Sequence, residues 1–151
     1  MIYIGADHRG FQLKEELKKY LLLQGKETED VGAYSQKMDD DYPDFAYATA
    51  LKVAENSEGN KGILLCGSGM GMDVAANKVR GIRATIAYSK NAAIHCRTND
   101  DVNIITLAAD VLSFEEAREI VEAFLTTDFS KEERHVRRIK KIEEIENKNF
   151  K

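Results

Sequence analysis

The sequence predicts a doubly wound α/β domain: a five-stranded parallel sheet with helices on both faces. Three observations predict it. Five short apolar runs alternate with amphipathic segments from end to end, and strands that each wait for a helix before the next strand pair in parallel. The intervening segments carry helix boundary signals rather than hairpin turns. The 151 residues hold one proline, no internal repeat and no low-complexity stretch, which fits one domain spanning 1–151 with room for a sizeable core.

The strand candidates are Ile2–Ala6, Glu27–Val31, Gly62–Cys66, Ile82–Ala87 and Asn103–Ala108. Leu13, Leu17, Tyr20 and Leu21 repeat at helical spacing after the first, and Gly25 closes that helix as a C-terminal cap. Pro43 suits the first turn of the next helix, whose buried stripe is Ala46, Ala50 and Val53. A further helix is expected over Ser89 to Arg97. It starts at the carboxyl edge of the sheet and ends at the opposite edge, so Thr98, Asn99 and Asp100 lie far from their own subunit's Cys66. Ser113 with Glu116 forms a capping box ahead of Ala117, Ile120, Val121 and Phe124. Ser130 with Glu133 repeats that signature before a charged last helix running to about Glu146. Its apolar line, Val136, Ile139, Ile142 and Ile145, is thin, so the 130–151 segment is expected at the domain rim or against another subunit. Each crossover between parallel strands is expected to be right-handed.

Charged residues make up 32% and hydrophobic ones 43%, the balance of a soluble globular chain. A net charge of −4 argues against general nucleic-acid binding, although the last helix is locally basic. No apolar stretch reaches membrane-spanning length, and Met1–Gly5 reads as a strand rather than a signal peptide. Two cysteines without ligand-like spacing predict reduced thiols in a cytoplasmic protein. No sequence pattern for a metal site is present.

The most informative segment is Gly62 to Lys78, GILLCGSGMGMDVAANK. An apolar run delivers Cys66 to the end of a buried strand. Gly67, Ser68, Gly69, Met70 and Gly71 follow, then a helical pattern begins. Alternating glycines let backbone N–H groups converge on a ligand, and a helix start favours negative charge. A thiol beside such donors suits a nucleophile or base. The same residues also fit a tight strand-to-helix turn around a structural cysteine.

Ligands of open α/β sheets bind outside the carboxyl ends of the strands. The first strand ends there in Asp7-His8-Arg9-Gly10. His8 could donate to an anion and Asp7 could orient a sugar hydroxyl, or the pair could simply cap a helix. Asp39, Asp40 and Asp41 lack the spacing of cation ligands, and read as a solvated loop feeding a helix. Tyr42 starts that helix, where a phenol can reach a substrate hydroxyl. Arg134 and Arg138 lie one helical turn apart on one face, an arrangement suited to a phosphate dianion or to a merely solvated basic face.

Taken together, GADHRGFQLK, DVGAYS, DYPDFA, GILLCGSGMGMDVAANK, GIRA, CRTNDDVN and RHVRRI resemble the type B ribose-5-phosphate isomerases and their relatives, the galactose-6-phosphate isomerase subunits. The resemblance runs from Ile4 to about Ile145. It implies a flavodoxin- or Rossmann-like sheet, a homodimer with shared active sites that can pair into a tetramer, and metal-free, cofactor-free aldose–ketose isomerisation of a sugar phosphate through an enediolate. Carried over by position, Cys66 resembles the base between C1 and C2. Gly67 to Gly71 with the Ser68 hydroxyl resemble the anion hole. Asp7, His8 and Tyr42 resemble substrate contacts, and Arg134 and Arg138 the partner's phosphate clamp.

The chain departs from the family where a His-Asn pair gives way to Asn99-Asp100. The family histidine is associated with ring opening; His95, one turn before Asn99, is a candidate substitute. Asp110 stands where the family usually has a phosphate-binding arginine, and a carboxylate there is expected to repel a phosphate or to bind the hydroxyls of another sugar. Ribose 5-phosphate is the leading substrate, with another pentose or hexose phosphate as alternative. A member that has lost catalysis, or a nucleotide-binding module built on Gly67-x-Gly69-x-Gly71, competes with both; that motif lacks GxGxxG spacing and a suitably placed ribose-binding acid.

Overall fold

The computed structural model describes residues 1–150. Five strands, β1 (Ile2–Ala6), β2 (Thr28–Asp30), β3 (Lys61–Cys66), β4 (Ala84–Ile86) and β5 (Ile104–Ala108), form one sheet in the order β2-β1-β3-β5-β4. Every pairing is parallel. The last two positions are exchanged relative to the flavodoxin order 2-1-3-4-5. The two outermost strands are three residues each, shorter than the apolar runs around them. An edge strand pairs on one side only, and short edges leave little unpaired backbone.

The helices are α1 (Phe11–Leu23), α2 (Tyr42–Ala54), α3 (Met70–Ala76), α4 (Lys90–Asp100), α5 (Phe114–Thr126) and α6 (Glu133–Asn149). Strand side chains alternate between two apolar layers. Ile4, Ile63, Leu65, Ile105 and Leu107 pack with α1, α4 and α5; Tyr3, Leu64, Cys66 and Ile104 pack with α2 and α3. A fully buried side chain such as Leu17 or Phe124 contributes about 1.5–3 kcal/mol of transfer free energy.

The helix punctuation follows the sequence closely. Gly25, at φ +68°, lets Lys26 N–H reach Leu21 O and Gly25 N–H reach Leu22 O, a Schellman closure. Pro43 sits in the first turn of α2 above buried Ala46, Ala50 and Val53. The Ser113–Glu116 capping box forms.

Two boundaries differ. Helix α4 continues through Thr98 and Asn99 to Asp100, where Asp101 turns left-handed at φ +46°. Ser130 does not cap α6: Lys131 takes φ +57°, and the helix starts at Glu133. The Ser130 N–H donates to Thr98 O, and its hydroxyl pairs with buried His135 at 2.8 Å. Those bonds pull the segment onto the end of α4 rather than into the helix.

Helix α6 runs along the amino edge of the sheet. Gly81 N–H, just before β4, donates to Glu146 Oε1 at 2.8 Å, and Arg80 bonds Asn147. Ile139 is buried and Val136 half-buried, while Ile142 and Ile145 are exposed. No helix is long and apolar enough to cross a membrane among the described residues.

Candidate active site

The strand order sets β1 beside β3 and β3 beside β5, so three loops meet at the carboxyl edge. The Asp7–Gly10 turn lies against Leu65: Asp7 N–H donates to Leu65 O, and a Cβ on Gly10 would sit 2.4 Å from that oxygen. Asp7 is buried, and its Oδ1 accepts from Arg9 N–H at 2.9 Å and Gly10 N–H at 3.0 Å. One of its oxygens therefore shapes the turn.

Cys66 is 4% exposed at the end of β3. Its sulfur accepts the Gly69 N–H at 3.1 Å. Gly69 takes φ +77° to aim that N–H, a conformation glycine adopts without penalty. Ser68 is exposed, and its hydroxyl accepts from Met70 N–H. Met70 is exposed at the mouth of the loop. The Tyr42 ring stands on the bare Cα of Gly71, where a Cβ would come within 2.5 Å of it. The second thiol lies elsewhere: burial pushes Cys96 up to about 11, and its S–H donates to Ala93 O.

Two charged partners were not foreseen. Asp40 is not a solvated loop residue. Its Oδ1 accepts the His8 N–H at 3.0 Å and lies 2.5 Å from His8 Nδ1, with the side chain 11% exposed. Asp110 is not a bare carboxylate either. It receives a two-pronged contact from Arg9, through Nε at 3.2 Å and a terminal N–H, so its charge is balanced in place. Asp7, His8 and Asp40 also bring three ligand-type atoms within 4.8 Å of one another; the contacts above already engage Asp7 Oδ1 and Asp40 Oδ1.

Other candidates lie elsewhere. Asn99 Nδ2 is 3.0 Å from His95 Nε2, on one face of α4. His95 and Asp100 line a groove of about 710 Å³ between α4 and the β4 edge, to which Ile142 of α6 also contributes. Cys66 does not line it. Arg134 is exposed on α6, bonded to Glu132, and Arg138 lies one turn further on. Both sit at the sheet edge opposite Cys66.

The ribose/galactose isomerase family model matches residues 2–142. This chain belongs to the ribose/galactose isomerase family. It is 41% identical over 145 residues to ribose-5-phosphate isomerase B of Mycobacterium tuberculosis (strain H37Rv), covering 96% of this chain and 89% of that protein. The Escherichia coli K12 relative of the same name is 39% identical, covering 96% and 95%. Among solved structures, ribose-5-phosphate isomerase B of Mycoplasma genitalium with bound ribulose 5-phosphate superposes with a TM-score of 0.95 at 38% identity, covering 98% and 97% of the two chains. The Thermotoga maritima family member gives 0.88 at 44% identity, covering 95% and 97%.

Proposed function

We propose that this chain interconverts an aldose phosphate and its ketose phosphate, ribose 5-phosphate and ribulose 5-phosphate being the leading pair. The observation carrying this reading is the Cys66 sulfur, seated at a strand end with the Gly69 N–H aimed at it, in a member of an isomerase family. Cys66 takes the proton from C2 of the open aldose, giving an enediolate. It returns a proton to C1, while the hydroxyl proton on O2 is transferred to O1, so that O1 becomes the hydroxyl and the ketone forms at C2. In this reading the Gly67 to Gly71 loop, with the Ser68 hydroxyl, forms the anion hole for the developing oxyanion, the Gly69 N–H serving the Cys66 sulfur and the Met70 N–H the Ser68 oxygen in the unliganded chain. Asp7, His8 and Tyr42 surround the sugar.

The active unit is a homodimer in this reading. Arg134 and Arg138 cannot serve the Cys66 of their own chain from the opposite sheet edge, and exposed Ile142 and Ile145 offer a second copy an apolar strip. The partner supplies both arginines to the phosphate, together with Asn99 and Asp100. A reduced pair of thiols is in keeping with the cytoplasm.

Incubation with ribose 5-phosphate in deuterated water tests the reaction: ribulose 5-phosphate carrying deuterium at C1 is expected. Turnover of another pentose or hexose phosphate instead would move the substrate, and no isomer from any of them would refute the reading.

A further inference from the structure

The Arg9–Asp110 pair is built onto the glycine loop. Asp110 N–H donates to Gly67 O at 3.0 Å, and Arg9 N–H is tied to Asp7 Oδ1. Both backbones are thus fixed before the side chains meet. A Cβ on Gly67 would lie 2.7 Å from Arg9 Nε and 2.7 Å from Asp110 Oδ2. The guanidinium and carboxylate therefore rest directly on the first residue of the loop that follows Cys66.

Their surroundings point to a ligand rather than to stability. The side chains are 57% and 41% exposed, and ion pairs so exposed contribute little to folding. Asp110 occupies two of the five guanidinium N–H groups. Arg9 Nη1 has no partner among the described residues, so one edge of a planar cation is presented open beside the loop. An open guanidinium edge matches the oxygens of a phosphate monoester, and a carboxylate behind it fixes its direction.

We propose that Arg9, aimed by Asp110, binds the substrate's phosphate from the same subunit as Cys66, and thereby selects phosphorylated sugars. The proposal rests on the sugar-phosphate reading above. In the dimer, the phosphate then lies between Arg9 of one chain and Arg134 and Arg138 of the other. Asp110 is a positioning residue: it holds the cation in one direction and touches no substrate.

Full-length Arg9→Gln, Arg9→Lys, Asp110→Asn and the exchanged Arg9→Asp/Asp110→Arg protein test this, with ribose 5-phosphate kinetics and calorimetric titration of inorganic phosphate. Arg9→Gln is expected to raise KM about 10- to 100-fold and to weaken phosphate binding in parallel, with kcat within about threefold, the loss of a charge-assisted contact to a group that does not react. Arg9→Lys keeps the charge but not the fork and falls between. Asp110→Asn raises KM less than Arg9→Gln, and the exchanged protein recovers most of the loss. Unchanged KM and unchanged phosphate affinity in Arg9→Gln would overturn the proposal. So would a fall in kcat alone, which would place the guanidinium on the enediolate. Wild-type protein that binds phosphate through Arg9 yet isomerises no sugar phosphate would sink the functional reading and leave this site standing.

Discussion

The imidazole of His8 and the carboxylate of Asp40 meet at 2.5 Å across 32 residues, and the same Asp40 oxygen also accepts the His8 backbone N–H. One carboxylate thus fixes both the main chain and the ring of His8, and Gln36 holds the His8 carbonyl. With Nδ1 engaged, the other ring nitrogen is the one left for a ligand. Asp40→Ala should lower kcat/KM about tenfold or more, since small misplacements of a binding group are costly. Asp40→Asn, which keeps an acceptor oxygen, should recover part of the loss. Equal activity in all three proteins would show that the orientation of His8 does not matter.

Cys66→Ala should cut turnover by roughly 10²–10⁴ with the fold intact, the range expected when a positioned base is removed. Cys96→Ala provides the control. Its thiol is pushed up to about 11 by burial, so the pH dependence of kcat near neutrality should be unaltered. Near-normal turnover in Cys66→Ala would remove the base assignment.

Shared sites can be read by mixing. Cys66→Ala and Arg134→Ala subunits, each inactive alone, should regain activity when exchanged, because one hybrid site draws its cysteine and its arginine from unmodified sequence. Subunit exchange proven by mass, without recovery, would count against sharing.

Acid should loosen the protein through Asp30. Burial alone would raise this carboxyl, but hydrogen bonds from Lys14, Lys18 and the Gly32 N–H hold it below its ordinary 3.8. A lowered folded value means the contribution is complete above the ordinary value and is lost as pH falls through the folded one. Unfolding free energy from denaturant titrations should therefore fall as pH drops below about 4. In Asp30→Asn that fall should be shallower. The same variant takes from the fully buried Lys14 ammonium its nearer carboxylate, leaving Glu15 at 3.5 Å, and should be less stable at neutral pH by about 3 kcal/mol.

Local chemistry was legible in the sequence, and cross-chain chemistry was not. Pro43, Gly25 and the Ser113–Glu116 box act within one helical turn of themselves, so their spacing alone specifies what they do. The Cys66 loop was legible for the same reason. Asp40 was not: three successive aspartates are equivalent on paper, and only closure of the 33–41 loop over His8 singles out the middle one. Arg9 and Asp110 lie 101 positions apart, and their meeting depends on the glycine loop of β3 standing between them. Lys14 is a lysine on a buried stripe, tolerable only because Asp30 and the Ala33 carbonyl wait for it. Ser130 carried a sound capping signature, but His135, five residues on, competed for its hydroxyl, and the Thr98 carbonyl took its N–H.

The contact of Arg9 with Asp110 over Gly67 bears on how these positions change through descent. A Cβ at position 67 would meet both charged side chains at 2.7 Å, so the pair closes over this Cα only while it stays bare or the side chains shift. Positions 9, 67 and 110 are thus expected to vary as a unit among sequences that share this arrangement, with glycine kept at 67 wherever the pair is kept. An alignment of related sequences should register the three columns as coupled, although two of them are separated by most of the chain.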